Sequence, residues 1–526
     1  MAPAGETLPS DLAGAHDLIR RLNAALAEKQ EEVAHRDVEV ARLSAIIGKL
    51  QRRQFGKSSE SLDPEQMALG LEDLETGLAH AQAKSDAMGA TPASRRTQVQ
   101  RKRGKLPDHL QRIEEIVDIG DKACPCCGGA LHVIGEDRSE RLDVIPSQFR
   151  VLVTRRPKYA CRACTDGVVQ AAAPSRLIER GLPTEAMVAH VLVSKYADHL
   201  PLYRQHQILA RQGVDIDRTC LSEWVGRAAF ALRPITERML ALMKQGPRLF
   251  CDETTAPVLD PGRGKTKRGY LWAIARDDRP WSGPAPPAVV YVYAPGRAGE
   301  HARAALRGFT GVLQVDGYAG YNALADDRRK ETPLNLAFCW THWRRDFFDL
   351  AKGGNAPIAD EMLMRIAKLY VIEANIRGAS ADERRAARQM HAKPLVEELF
   401  EWLGKRLGRI VQKGDLADAI RYGLRRKDGL CRYLDDGRLE MDTNTVERAI
   451  RPLTLNRKNA LFAGSDEGAV AWGIVASLIE TAKLNGVEPN AYLTDVLTKL
   501  VRGWPNSRLD DLLPWAYPKL AAVNVT

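Results

Sequence analysis

Between Arg248 and Asp316 the chain changes texture in a way that few folds accommodate. PRLFCDETTAPVLD is an apolar run carrying Asp252, and GYLWAIARDD and AVVYVYAP are two further runs rich in β-branched and aromatic residues. The loop PWSGPAPPA between the last two is built of turn formers. A helix is expected from Gly299 to Gly308, and GVLQVDGYAGYNAL then gives another apolar strand ending at Asp316. Three strands, a helix and a strand make an α/β sheet in which Asp252 and Asp316 each stand where a strand runs out. Carboxylates projecting from one sheet edge suit hard cations such as Mg²⁺ or Mn²⁺, which prefer oxygen ligands.

That order of elements matches a ribonuclease-H-like core. A third carboxylate candidate is Glu447 in MDTNTVERAIRPLTLNRKN, near the start of a helix capped by Thr443 or Asn444. Three such groups could hold two divalent ions about 4 Å apart, the arrangement for in-line displacement at a phosphodiester. Glu253, Asp260, Glu440 and Asp442 are rivals that spacing alone leaves open. Helical sequence fills most of 342–436, and strand signals do not return.

The N-terminal part reads as separate modules. Leu12, Ile19, Leu22, Leu26, Val33, Val40, Leu43, Ile47 and Leu50 follow a 3-4 spacing, the seam of a self-pairing coiled coil. Residues 84–105 are small, polar and basic and form a linker. Five of the nine cysteines fall between Cys124 and Cys164. Cys124, Cys127, Cys161 and Cys164 make two C-x-x-C knuckles fit to hold one structural Zn²⁺ tetrahedrally, with strands between them in RLDVIP and FRVLVTRRPKYA. PLYRQHQILARQGVDIDRTCLSEWVGRAA holds two helices around Gly213 and an Asp217 cap, a candidate helix-turn-helix.

Charge points the same way. The formal net charge of +10 is modest for 526 residues, but the basic residues come in separated patches. Arg101, Lys102 and Arg103, then Lys265, Lys267 and Arg268, then Arg344 and Arg345, and Arg457 with Lys458 are the candidate contacts to double-stranded DNA. No apolar run is long enough to span a membrane and the N-terminus lacks a signal-peptide layout, so a cytoplasmic protein is expected.

At this point the motifs converge. QFGKSSE (54–60), CPCCGGAL (124–131), YACRAC (159–164), LVSKYADHLPLYRQ (192–205), DETTAPVLDPGRGKTKRGYLW (252–272), VDGYAGYN (315–322), CWTHWRRDFFDL (339–350), TVERAIRP (445–452), RKNALFAGS (457–465) and SLIETAKLNGVEP (477–489) run in order along nearly the whole chain. Together they resemble the transposases of the insertion-sequence family numbered sixty-six, TnpC type. Three details depart from the family pattern: Asp442-Thr443-Asn444 in place of Asp-Asn-Asn, Asn456 where Gly is common, and Trp343 in the C-x-x-H segment.

The resemblance implies an Asp-Asp-Glu transposase with Asp252, Asp316 and Glu447 as catalytic metal ligands. It implies cleavage at terminal inverted repeats followed by strand transfer into target DNA. Cys339 and His342 resemble a C-x-x-H element of related enzymes with insertions. The domain order expected is a coiled coil (1–58), a basic linker (59–105), a zinc-binding module (106–175) and a helical DNA-binding domain (176–243). The first part of the ribonuclease-H-like core (244–338), a helical insertion (339–440), the last part of the core (441–482) and a C-terminal helical tail (483–526) complete it. Expected partners are a second copy through the coiled coil and small accessory proteins of the same element. The rival readings are a catalytically silent DNA-binding regulator and a metal-dependent nuclease that does not join strands.

Overall fold

The computed structural model describes residues 149–160, 168–178, 181–260, 265–324 and 334–518. The heptad seam, the basic linker with Arg101, Lys102 and Arg103, and the cysteines Cys124, Cys127, Cys161 and Cys164 lie outside the described residues. The chain forms two compact units, one built on Pro174–Leu520 and a smaller one on Ala93–Ala173.

In the smaller unit, β1 (Lys158–Ala160) and β2 (Val168–Gln170) pair antiparallel with Lys158 opposite Gln170. Gln170 Nε2 donates to Arg156 O at 2.8 Å and Arg156 Nε donates to Ala171 O at 2.9 Å, which extends the pairing past the strand ends. The longer strand expected from Phe149 does not form. Val151, Leu152 and Val153 are exposed, and Pro157 has no amide hydrogen to give a ladder.

The larger unit is organised on a five-stranded sheet of order β5-β4-β3-β6-β7. Its strands are β3 (Arg248–Val258), β4 (Lys267–Arg276), β5 (Ala288–Ala294), β6 (Val312–Val315) and β7 (Asn335–Phe338). β4 runs antiparallel to β3 and β5, whereas β6 is parallel to β3 and β7 parallel to β6. Two expectations change here. Asp252 lies at the fifth residue of the eleven-residue β3, not at its end. β7 was not expected, because four residues (NLAF) are too short to show a strand period.

Helices α1 (Glu185–Tyr196), α2 (Leu202–Arg211) and α3 (Arg218–Met243) precede the sheet. Gly213 turns the chain between α2 and α3 at φ +77°, and Asp217 caps α3 by accepting from Thr219 N at 2.7 Å. Leu221, Trp224, Val225 and Ala228 of α3 are buried. The short α4 (Gly299–Ala305) links β5 to β6.

After β7 a helical layer follows: α5 (Trp340–Lys352), α6 (Pro357–Asn375), α7 (Ala381–Ala387), a π-turn over Arg388–Ala392, α8 (Lys393–Leu407), α9 (Asp415–Arg425) and α10 (Lys427–Cys431). Its core gathers Trp340, Trp343, Phe347, Met362, Ile366, Phe400, Leu403 and Tyr433. The two indoles are also hydrogen bonded, Trp340 Nε1 to Leu430 O and Trp343 Nε1 to Ala419 O, each at 2.8 Å. A Cβ at Gly423 would lie 1.9 Å from the Trp343 ring, so α9 packs on α5 only with glycine there. Arg384 and Arg388 are buried and held by carboxylates, Arg384 Nη2 by Glu440 at 2.8 Å and Arg388 Nη2 by Glu373 at 2.6 Å.

The chain returns to the sheet through α11 (Asn444–Ala460), α12 (Asp466–Leu484) and α13 (Pro489–Val501). α12 packs along β5, the margin of the sheet. Ser477 Oγ accepts from Tyr291 N at 2.8 Å, and Thr481 Oγ1 accepts from Val289 N at 3.1 Å while donating to Val289 O at 3.0 Å. Hydroxyls one helical turn apart thereby satisfy a strand edge that has no neighbouring strand. At the opposite margin Arg432 Nε donates to Leu336 O of β7 at 3.1 Å. α12 also packs on α3 and α13 on α1, so the N-terminal helices share one unit with the sheet. Among the described residues no helix is long and apolar enough to cross a membrane.

Candidate active site

β3 and β6 pair in parallel with Leu249 opposite Leu313 and Phe250 opposite Gln314. Carried forward two residues, that register sets Asp252 and Asp316 side by side on the same sheet face, since side chains alternate with period two. β6 ends at Val315, so the two carboxylates stand where β3 loses its parallel neighbour. Each is held by a nearby backbone amide. Glu253 N donates to Asp252 Oδ1 at 2.7 Å, and Tyr318 N donates to Asp316 Oδ1 at 3.0 Å. Gly317 is fixed by close packing, because a Cβ there would meet the Tyr422 hydroxyl at 2.0 Å.

Glu447 arrives from the first turn of α11 and is buried, with 2% of its surface exposed. The chain before it is tied down at three points. Gln314 Nε2 donates to Glu440 O at 2.7 Å while its Oε1 accepts from Glu440 N at 3.0 Å. Trp340 N donates to Met441 O at 3.1 Å, and Thr443 N donates to Cys339 Sγ at 3.3 Å. Thr443 occupies the cap position of α11, but its hydroxyl donates to Glu447 Oε1 at 3.0 Å instead of capping the helix backbone. Among the described residues Glu447 Oε2 has no hydrogen-bond partner.

The electrostatics concentrate on Asp252. Burial pushes its carboxyl well above the ordinary range, and the charges of Asp316, Glu253 and Glu447 push it further, opposed by His342. Glu253 is raised mainly by burial, but Tyr321 OH donates to it at 2.6 Å and Arg297 Nε at 2.6 Å. Arg297 in turn lies 3.9 Å over the Tyr318 ring.

Among the described residues a group of ligand atoms that could hold a metal ion includes Glu447 but neither aspartate. Cys339 Sγ, a His342 ring nitrogen and a Glu447 oxygen all lie within 4.8 Å of one another, with His342 Nδ1 3.7 Å from Glu447 Oε1. The C-x-x-H pair Cys339 and His342 thus gains a third ligand atom. The third comes from Glu447, beyond the helical layer, which the C-x-x-H spacing alone gives no sign of. α5 explains the presentation: Trp340, Trp343 and Phe347 anchor one side, and His342, half-exposed, turns toward Glu447. Burial lowers the Arg345 guanidinium, with Glu447 acting against that shift, so Arg345 also lies near this edge.

The rival carboxylates have other partners. Glu440 is held by Arg384, and Asp442 accepts from Asn444 N at 3.1 Å while burial and Glu440 push it up to about 7. Asp260 lies just beyond the end of β3. Among the candidate DNA contacts, Lys265 and Arg268 are exposed, Lys458 is half-buried, and Lys267 pairs with Asp466 at 2.5 Å. Two depart from a surface role. Arg457 is buried and donates to Thr254 Oγ1 at 3.3 Å and to Thr255 O at 2.7 Å, because the last turns of α11 lie against β3. Arg344 is buried as well, 5.5 Å over the Phe348 ring.

The fold is a mixed α/β domain with carboxylates on β3, after β6 and on α11, and comparison with known proteins gives its family. A model described as "Transposase IS66 family" matches residues 180–471. Models described as "zinc-finger binding domain of transposase IS66", "IS66 C-terminal element" and "Transposase C of IS166 homeodomain" match 121–165, 477–515 and 42–114. Among curated relatives, uncharacterized protein y4qI of Sinorhizobium fredii (strain NBRC 101917 / NGR234) is 44% identical over 513 residues, 96% of this chain and 93% of that protein. Protein y4jD of the same strain is 45% identical over 479 residues, covering 90% of this chain and 94% of its own length. The chain belongs to the IS66 transposase family. That membership supports a transposase role and nuclease-type chemistry with divalent metal, and the zinc-finger match supports a structural zinc ion.

Proposed function

We propose that the protein binds the terminal inverted repeats of an insertion sequence, cuts a 3′ strand end there and joins the 3′-hydroxyl to target DNA. One observation carries the reading: half-buried Asp252 is raised by loss of solvent and by the charges of Asp316, Glu253 and Glu447, a concentration of negative charge that a divalent cation relieves. The unpartnered Oε2 of Glu447 fits the same donor set of carboxylate oxygens. Two Mg²⁺ or Mn²⁺ ions held by Asp252, Asp316 and Glu447 would supply an activated hydroxyl and stabilise the departing oxygen.

The chain's own part is placement. The parallel register of β3 and β6 supports Asp252 lying beside Asp316, and the Gln314, Trp340 and Thr443 contacts fix the chain that leads into Glu447. Arg297 and Tyr321 keep Glu253 engaged, which leaves it out of the ligand set. The ribonuclease-H-like reading is supported by the strand order β5-β4-β3-β6-β7, with β4 antiparallel and β6 and β7 parallel to β3. On this reading residues 244–338 and 441–482 make the core, 339–440 the insertion and 483–526 the tail, with α2 and α3 as the helix-turn-helix of 176–243. Lys265, Arg268 and Lys458 then meet phosphates, the four knuckle cysteines hold zinc in the cytoplasm, and 1–58 pairs two copies, assisted by small proteins of the same element.

The test is cleavage and joining of labelled element-end DNA with Mg²⁺, run beside a binding assay. Asp252→Asn, Asp316→Asn and Glu447→Gln should each lower cleavage on the order of 10³-fold or more while end binding persists, and the losses should not add. Cleavage without a joined product identifies a nuclease. Binding with no cleavage in the wild type identifies a silent regulator.

A further inference from the structure

We propose that Cys339, His342 and Glu447 form a binding site of their own for zinc, a softer cation than the carboxylate edge takes, and that filling it draws Glu447 away from that edge. The three ligand atoms lie within 4.8 Å of one another, and His342 Nδ1 is 3.7 Å from Glu447 Oε1. Zn–S of ~2.3 Å and Zn–N or Zn–O of ~2.0 Å in tetrahedral geometry separate such atoms by roughly 3.3–3.6 Å, so the side chains have little distance to close.

The site is built and not superficial. Cys339 is 1% and Glu447 2% exposed. His342 Nδ1 and Glu447 Oε2 are buried polar atoms with no hydrogen-bond partner among the described residues, a cost that a cation bound between them removes. Cys339 sits at the N-cap of α5 and His342 one turn further on, so a C-x-x-H spacing at one helix start meets the first turn of α11.

The donor chemistry selects the ion. A thiolate and an imidazole favour zinc over Mg²⁺, whose preferred ligands are oxygens. Three protein ligands leave a fourth position open to water. As the Zn–S bond forms, the Cys339 S–H bond breaks and its proton leaves to solvent. All three ligands belong to the larger unit.

The consequence for cleavage rests on the reading of Glu447 as a ligand of the catalytic ions; the metal count does not. Full-length protein, reduced and dialysed against buffered free Zn²⁺, is assayed for bound zinc by elemental analysis. Wild type should hold one equivalent more than Cys339→Ser, His342→Asn or Glu447→Gln, whereas Asp252→Asn should keep that equivalent. Co²⁺ in place of zinc should show a thiolate charge-transfer band that Cys339→Ser diminishes. Circular dichroism identifies any variant that fails to fold, and the partly exposed His342→Asn still reads the site if Cys339→Ser is lost. An equal zinc count in wild type and His342→Asn overturns the site. For competition, micromolar Zn²⁺ should slow Mg²⁺-dependent cleavage at least about tenfold in wild type. Each variant is compared with its own zinc-free rate, and His342→Asn should resist the effect. A retained extra equivalent with no slowing overturns the competition.

Discussion

Arg457 donates to Thr254 Oγ1 and Thr255 O, and so ties the last turns of the helix carrying Glu447 to the strand carrying Asp252. A guanidinium chosen from the sequence as a phosphate contact is therefore a staple between two parts of the site. Arg457→Ala should destabilise the fold by about 1–3 kcal/mol, because the Thr254 hydroxyl and the partly buried Thr255 carbonyl lose a charged donor. Arg268→Ala, at an exposed position, should leave the melting temperature unchanged and flatten the salt dependence of DNA binding by about one phosphate contact. Thermal unfolding and binding titrations at several salt concentrations separate the two; matching effects from both substitutions would contradict this division of roles.

Asp442 gives the site region a pH signature. Burial and Glu440 push its carboxyl up to about 7, above the ~3.9 of an unfolded chain. The folded state thus holds this proton more tightly, and the associated stability is complete below about pH 4 and lost as pH rises through 7. Asp442→Asn, permanently neutral, should gain on wild type by on the order of 1–2 kcal/mol between pH 5.5 and pH 8.5. Unfolding midpoints at the two pH values measure it, and a constant difference would rule out a raised Asp442.

Ser477 and Thr481 are polar residues in the midst of the apolar face of α12. Ser477→Ala and Thr481→Val should each cost about 1–2 kcal/mol by leaving Tyr291 N or Val289 N unsatisfied. Hydrogen exchange at those two amides should accelerate in the matching variant and not in the other.

Gly423→Ala should loosen α9 from α5, since the added methyl would lie 1.9 Å from the Trp343 ring. Overpacking of this kind costs about 1–3 kcal/mol or more. Tryptophan fluorescence and the melting temperature should both shift, and unchanged values would mean that α9 moves aside freely.

The sequence made the strands of the sheet visible because β3, β4 and β5 are long enough to show their composition. It could not reveal that Asp252 and Asp316 share a register, since pairing is a relation between segments. Asn335–Phe338 escaped notice because four residues carry too little pattern. Glu447 was legible only through its motif and the family resemblance; nothing in its own neighbourhood says which strand it will approach. His342 shows the same limit. Its spacing from Cys339 was plain, but the carboxylate that gives the pair meaning comes from the far side of a helical layer. Arg457 was misplaced because a helix period does not tell which face of α11 meets β3.

Both margins of the central sheet already have company, β5 from the hydroxyls of α12 and β7 from Arg432. Strand donation between neighbouring molecules needs a bare margin, so pairing a second copy at either margin would first have to displace these contacts. On the proposed function, a complex that brings two DNA ends together would more readily be joined by helix faces or by the DNA itself. On that proposal each molecule would carry its own carboxylates to a separate end, with assembly deciding where the two sites meet and not whether they exist.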